Sequence, residues 1–125
     1  MDLKFLVVDD SVTMRRIVIN SLRSLGYNNF VEAGDGKEAL EKLNGDGEIN
    51  FVITDWNMPV LSGLELVKSI RSHETLSKLA ILMVTTRGVK EDILEALQAR
   101  VNNYVVKPFT PQILKEKIDQ IIQVV

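Results

Sequence analysis

Five short apolar runs recur along the chain, and the residues between them are apolar at helical spacing. The runs are Phe5-Leu6-Val7-Val8, Phe30-Val31-Glu32-Ala33, Phe51-Val52-Ile53, Ala80-Ile81-Leu82-Met83-Val84 and Asn103-Tyr104-Val105-Val106. Most are continuous, not alternating, which marks strands covered on both faces, as in a parallel sheet. Helical stripes follow: Met14, Ile17, Val18, Leu22 and Leu25; Ala39, Leu40 and Leu43; Leu66, Val67 and Ile70; Ile93, Leu94 and Leu97; Leu114, Ile118, Ile121 and Ile122. Strict strand–helix alternation predicts an α/β fold, a doubly wound parallel sheet of (βα)5 form with helices on both faces. The short flanking helices favour this three-layer arrangement over half a barrel.

Local signals set the boundaries. Gly26 ends the first helix, because glycine enters the left-handed region cheaply. Asn44-Gly45-Asp46-Gly47 breaks the second. Ser62 and Glu65 have capping-box spacing before the third. The fourth is expected to end near Ala99. Thr110-Pro111 starts the fifth, with threonine as cap and proline in the first turn.

The length of 125 residues suits a single domain over 1–125 with a core that needs no crosslinks. The net charge of −2 implies no general affinity for nucleic acid. The absence of cysteine removes disulfides, thiol chemistry and thiolate metal sites. The apolar run after Lys4 is too short for a signal peptide or a membrane span, so a cytoplasmic location is expected. His73, the one histidine, lies in a polar stretch and is read as a surface residue.

Polar residues gather where four strands end: Asp9 and Asp10 after the first, Asp55 after the third, Thr85 and Thr86 after the fourth, Lys107 after the fifth. In a parallel sheet these positions share the carboxyl edge, where ligands bind. Clustered carboxylates repel one another and call for a cation. Oxygen ligands without histidine or cysteine suit Mg²⁺. Lysine adds positive charge and threonine a hydrogen bond, so the set suits phosphoryl transfer. A central carboxylate can take the phosphoryl group covalently.

The blocks at residues 4–10, Thr13-Met14-Arg15-Arg16, Asp55-Trp56-Asn57-Met58-Pro59, Met83-Val84-Thr85 and Tyr104-Val105-Val106-Lys107-Pro108-Phe109 give the chain a specific likeness. Over its whole length it resembles the response-regulator receiver domains, above all the single-domain chemotaxis regulators. The resemblance implies a flavodoxin-like, CheY-like sheet of order 2-1-3-4-5 and a cis Lys107–Pro108 bond. It implies that Asp55 is the phosphoacceptor, and that Mg²⁺ sits on Asp9, Asp10, Asp55 and the Asn57 backbone carbonyl. Lys107 would pair with Asp55 or its phosphate, Thr85 would swing toward the phosphate, and Tyr104 would pack inward as a switch. Implied partners are a chemotaxis histidine kinase, the flagellar motor switch and an auxiliary phosphatase. A monomer is expected, with output through the fourth helix, fifth strand and fifth helix. No appended DNA-binding domain is expected.

Three positions depart from the family pattern. Ser62 stands for the usual acid or asparagine and alters only a cap. Arg100 stands where glycine is usual, which predicts positive φ at the helix end. Arg87 replaces an acid two residues beyond Thr85 and, with Asn57, is read as tuning phosphate lifetime. Trp56 is expected to be exposed. A haloacid-dehalogenase-like phosphohydrolase would need an acid where Asn57 stands. A flavodoxin-like cofactor carrier would need a phosphate-cradling loop where two aspartates stand. A phosphate sink or a non-motor interaction module is the remaining alternative.

Overall fold

The computed structural model describes residues 2–124. The elements alternate as the apolar runs predict: β1 (Phe5–Val8), α1 (Val12–Ser24), β2 (Phe30–Ala33), α2 (Gly36–Gly45), β3 (Phe51–Thr54), α3 (Gly63–Ser72), β4 (Ala80–Thr85), α4 (Lys90–Gln98), β5 (Asn103–Val106) and α5 (Pro111–Val124). All strand pairs are parallel and the order is β2-β1-β3-β4-β5. The sheet separates two cores. Leu6, Val8, Val52, Ile81 and Met83 pack against α2, α3 and α4. Phe5, Val7, Phe51, Ile53, Leu82 and Val84 point the other way, onto Val18, Leu22, Leu114 and Ile118 of α1 and α5. The alternation of neighbouring side chains across one strand builds both layers at once.

Four helices start on side-chain caps. Ser11 accepts from the Met14 N–H and Asp35 from the Glu38 N–H. Ser62 and Glu65 form the predicted capping box. Thr110 Oγ1 accepts from the Ile113 N–H at 3.2 Å. Helix α4 begins at Val89 with no side-chain cap.

Two helical stripes lie differently from their sequence pattern. In α1 the buried residues are Val18, Ile19, Ser21 and Leu22, whereas Ile17 is 45% exposed and Met14 half-buried. In α4 only Ala96 is fully buried; Leu94 and Leu97 are 47% and 44% exposed. Periodicity identifies a helix, but not how far its apolar stripe rolls toward solvent.

Two backbone hydrogen bonds shape the loop after β3. The Leu61 N–H donates to the Pro59 carbonyl at 2.7 Å, with Val60 between them at φ 68°. This is a γ-turn with a β-branched residue in a costly conformation. The Gly63 N–H donates to the Trp56 carbonyl at 2.8 Å, and a Cβ on Gly63 would stand 1.8 Å from the Asp55 carbonyl oxygen. Glycine is therefore required for α3 to close onto the end of β3.

Arg100 has φ 74°, as the sequence predicts, just beyond the α4 cap at Ala99. A side chain there costs about 1–2 kcal/mol, and glycine's larger unfolded entropy offsets part of any gain. Arg100→Gly should stabilise the protein by roughly 0.5–1 kcal/mol. Urea denaturation reads this directly, and an unchanged or lower midpoint would contradict it.

Candidate carboxylate and metal site

Strand register brings the acids together. Val8 of β1 pairs with Thr54 of β3, so Asp9 and Asp55 leave the sheet side by side. The Asp55 N–H donates to the Val8 carbonyl at 2.9 Å, and the Asp9 N–H to the Ala33 carbonyl at 3.1 Å. Lys107 follows β5, and its N–H donates to the Thr85 carbonyl at 2.8 Å. The Lys107–Pro108 bond is cis.

The Lys107 side chain bridges two carboxylates. Its Nζ lies 2.9 Å from Asp9 Oδ2 and 3.3 Å from Asp55 Oδ2. These side chains are only 8%, 6% and 14% exposed for Lys107, Asp9 and Asp55. The other carboxylate oxygens accept backbone N–H groups: Asp9 Oδ1 from Ser11 at 2.9 Å and Asp55 Oδ1 from Trp56 at 2.6 Å. Asp10 is exposed and completes a group of three acids whose ligand oxygens lie within 4.8 Å of one another. Three acids against one ammonium leave excess negative charge at the edge of the sheet. An oxygen-only donor set of this kind fits a hard divalent cation.

Arg87 is held by a web of contacts that its sequence position does not announce. Its guanidinium stacks over the Trp56 ring, 4.5 Å from the centroid. Nε and Nη2 donate to Asn57 Oδ1 at 3.2 and 2.8 Å, and Nη1 lies 3.6 Å from Asp92 Oδ2. Trp56 is not exposed, as its place beside Asp55 had implied. It is 5% exposed, within the core and under the guanidinium. Asn57 itself is exposed beside an open cleft of about 500 Å³, bordered by Asp10, Trp56, Met58 and Arg87.

Thr85 is fully buried, and its Oγ1 accepts from the Arg87 N–H at 3.3 Å. Tyr104 packs inward, and its hydroxyl donates to the Arg87 carbonyl at 2.6 Å. Burial, reinforced by the negative charge of Asp92 and Asp55 and opposed by Arg87, pushes the Tyr104 phenol up to about 12. Arg87 thus meets Thr85 and Tyr104 through its backbone, and Trp56, Asn57 and Asp92 through its side chain. The part of Asp92 lay beyond sequence reasoning, because the turn between Arg87 and α4 decides whether the two meet.

Comparison with known proteins agrees with this geometry. The family model of the response regulator receiver domain matches residues 5–119. The chain belongs to the response-regulator receiver family. This receiver is 52% identical over 120 residues to chemotaxis protein CheY1 of Helicobacter pylori, covering 96% of this chain and 97% of the relative. It is 53% identical over 122 residues to CheY-3 of Vibrio cholerae, covering 98% and 93%. The solved structure of chemotaxis response regulator CheY4 of Vibrio cholerae superposes with a TM-score of 0.86 at 35% identity, covering 97% of this chain and 99% of that one. The receiver closely matches CheY-family chemotaxis response regulators, and its function is phosphorylation-based two-component signalling.

The acid cluster generates a stability prediction. Carboxylates crowded at one edge destabilise the folded state until a cation neutralises them. Mg²⁺ should raise the melting temperature by a few degrees. Asp10→Asn should melt higher than wild type without metal and gain less from Mg²⁺. Calorimetric scans giving the two proteins equal Mg²⁺ shifts would contradict the cluster's role.

Proposed function

We propose that this receiver acts as a single domain over residues 1–125 and accepts a phosphoryl group on Asp55. The donor is the phosphohistidine of a chemotaxis histidine kinase. The observation that carries the reading is the Asp55 carboxylate itself, held on Lys107 beside two further acids at the carboxyl edge of the sheet.

An Asp55 oxygen attacks phosphorus while the bond from phosphorus to the donor imidazole breaks, and the imidazole nitrogen takes a proton from solvent. The Trp56 N–H orients the carboxylate through Oδ1. Lys107 transfers a hydrogen bond from Asp55 to a phosphoryl oxygen and remains tied to Asp9. The Thr85 hydroxyl turns toward the phosphate, and Tyr104 secures the same loop by its bond to the Arg87 carbonyl. Asp9, Asp10, Asp55 and the Asn57 backbone carbonyl would hold Mg²⁺, which would supply positive charge against the phosphoryl oxygens.

The output is binding to the flagellar motor switch through α4, β5 and α5. Support comes from apolar side chains left open on or beside these elements: Val89, Leu94, Leu97, Val106 and Ile113 are 41–58% exposed. An auxiliary phosphatase resets the state. We place this monomeric receiver in the cytoplasm; among the described residues no helix is long and apolar enough to cross a membrane.

The test is phosphotransfer from a labelled chemotaxis kinase, followed by capture on a motor-switch peptide. The phosphorylated receiver should be retained and the unmodified one released. Val106→Asp should still take phosphate but lose the peptide. Phosphate uptake without any gain in peptide binding would favour a phosphate sink and defeat the motor assignment.

Arg87 offers a separate test. Its guanidinium borders the cleft where water must approach phosphorus in line. It is also positioned to hold phosphate oxygens in the ground state. Arg87→Ala should shorten the phosphorylated lifetime by about threefold to tenfold, the net worth of one ordinary hydrogen bond at a solvent-exposed position. Arg87→Glu should also shorten it, while repelling Asp92. Decay followed without phosphatase reads both; slower decay would reverse the proposed role.

A further inference from the structure

A second cleft, of about 560 Å³, opens at the opposite edge of the sheet, before β4 and β5. Arg71, Ser77, Lys78, Leu79, Arg100 and Asn102 line it. Arg71 forms its floor and spends its guanidinium on neutral acceptors. Nε donates to the Arg100 carbonyl at 2.9 Å, and Nη1 to the Ser77 and Leu79 carbonyls at 2.9 and 2.6 Å. Nη2 donates to Asn102 Oδ1 at 3.0 Å. Among the described residues no carboxylate lies within 4.0 Å of the charged nitrogens of Arg71, Lys78 or Arg100. Three cationic side chains therefore share one cleft without a counter-charge.

The lining is also rich in unused donors. Asn102 Oδ1 accepts from both Arg71 and the Ile81 N–H, at 3.0 and 2.7 Å. That fixes the amide, and its NH₂ group has no partner among the described residues. The Ser77 hydroxyl, the Lys78 ammonium and most of the Arg100 guanidinium are likewise unspent; Arg100 makes only a 3.4 Å contact to the Arg71 carbonyl. Lysine and arginine carry no acceptor, so the charged part of the cleft can only donate.

Arg100 bears two costs here. It holds φ 74°, where glycine is unstrained, and it sets a second positive charge near Arg71. Burial, and secondarily Arg100, push the Arg71 guanidinium below its ordinary value. A costly backbone outlier that delivers an arginine to a cationic cleft is the kind of strain that binding sites retain. We infer that this cleft binds the phosphate groups of a small phosphorylated molecule, with Arg100 and Lys78 gripping the oxygens over the fixed floor of Arg71. Its volume is within the range that small ligands occupy. Guanidinium and ammonium donors around an anion are the recognition chemistry of phosphate. The site is separate from Asp55, at the other end of the strands.

Amide NMR titration in metal-free buffer tests the inference, with inorganic pyrophosphate and ADP as probes. Both should shift residues 77–79 and 100–102 and leave residues 55–57 unmoved. Lys78→Gln and Arg100→Gly should each weaken binding about tenfold, the loss of one charge-assisted hydrogen bond. Arg100→Gly is safe for folding because glycine suits that backbone. Absence of saturable shifts with either probe would overturn the inference. So would shifts confined to residues 55–57, or affinity indifferent to both substitutions.

Discussion

The Lys107 ammonium between Asp9 and Asp55 is the interaction on which the functional edge of this protein depends. It joins the ends of β1, β3 and β5 across the sheet. Adjacent pairing of β1 with β3 sets the two acids side by side, and β4 spaces β5 at the reach of a lysine. The three side chains are nearly buried, so the cost of stripping their water is large and is met only by mutual pairing and backbone donors. Asp10, outside this arrangement, adds a third carboxylate and gives the cluster a donor set that fits a cation. The result is one ammonium shared between two carboxylates.

A second set of contacts leads from that edge to α4. Trp56 and Asn57 follow the acid, Arg87 covers them, and Asp92 holds Arg87 from the first turn of α4. The Tyr104 hydroxyl closes the set on the Arg87 carbonyl. Helix α4 is otherwise lightly held. It lacks a side-chain cap, buries only Ala96 and leaves two leucines open. An element with few buried contacts shifts at low cost. Changes at Asp55 therefore have a direct physical route to the least anchored helix.

Much of this was legible in the sequence. The continuous runs of β1, β3 and β4 are hydrophobic because both faces are covered, so alternation and parallel pairing followed from pattern alone. The strand ends announced Asp9, Asp10, Asp55, Thr85 and Lys107 because a parallel sheet puts all carboxyl ends on one edge. Strand order needed the family likeness, since no local signal encodes which neighbour a strand takes. The burial of Trp56 was not legible, because it depends on Gly63 drawing α3 against the Asp55 carbonyl and on Arg87 folding over the ring. The exposure of Leu94 and Leu97 was missed for a related reason. A helical stripe reports spacing, whereas tilt against the sheet decides which members stay wet. Val60 gave no warning of its left-handed turn, since valine is among the last residues expected there.

We propose that Asp55, and no other carboxylate in the cluster, becomes an acyl phosphate. Acetyl phosphate with Mg²⁺ provides the modification without any partner protein. Borohydride reduction then converts a phosphorylated aspartate to homoserine, and mass spectrometry of the digest locates it. Homoserine at position 55, absent from Asp55→Asn, is the predicted result. Homoserine at position 9 or 10, or equal labelling of the Asp55→Asn protein, would contradict the account.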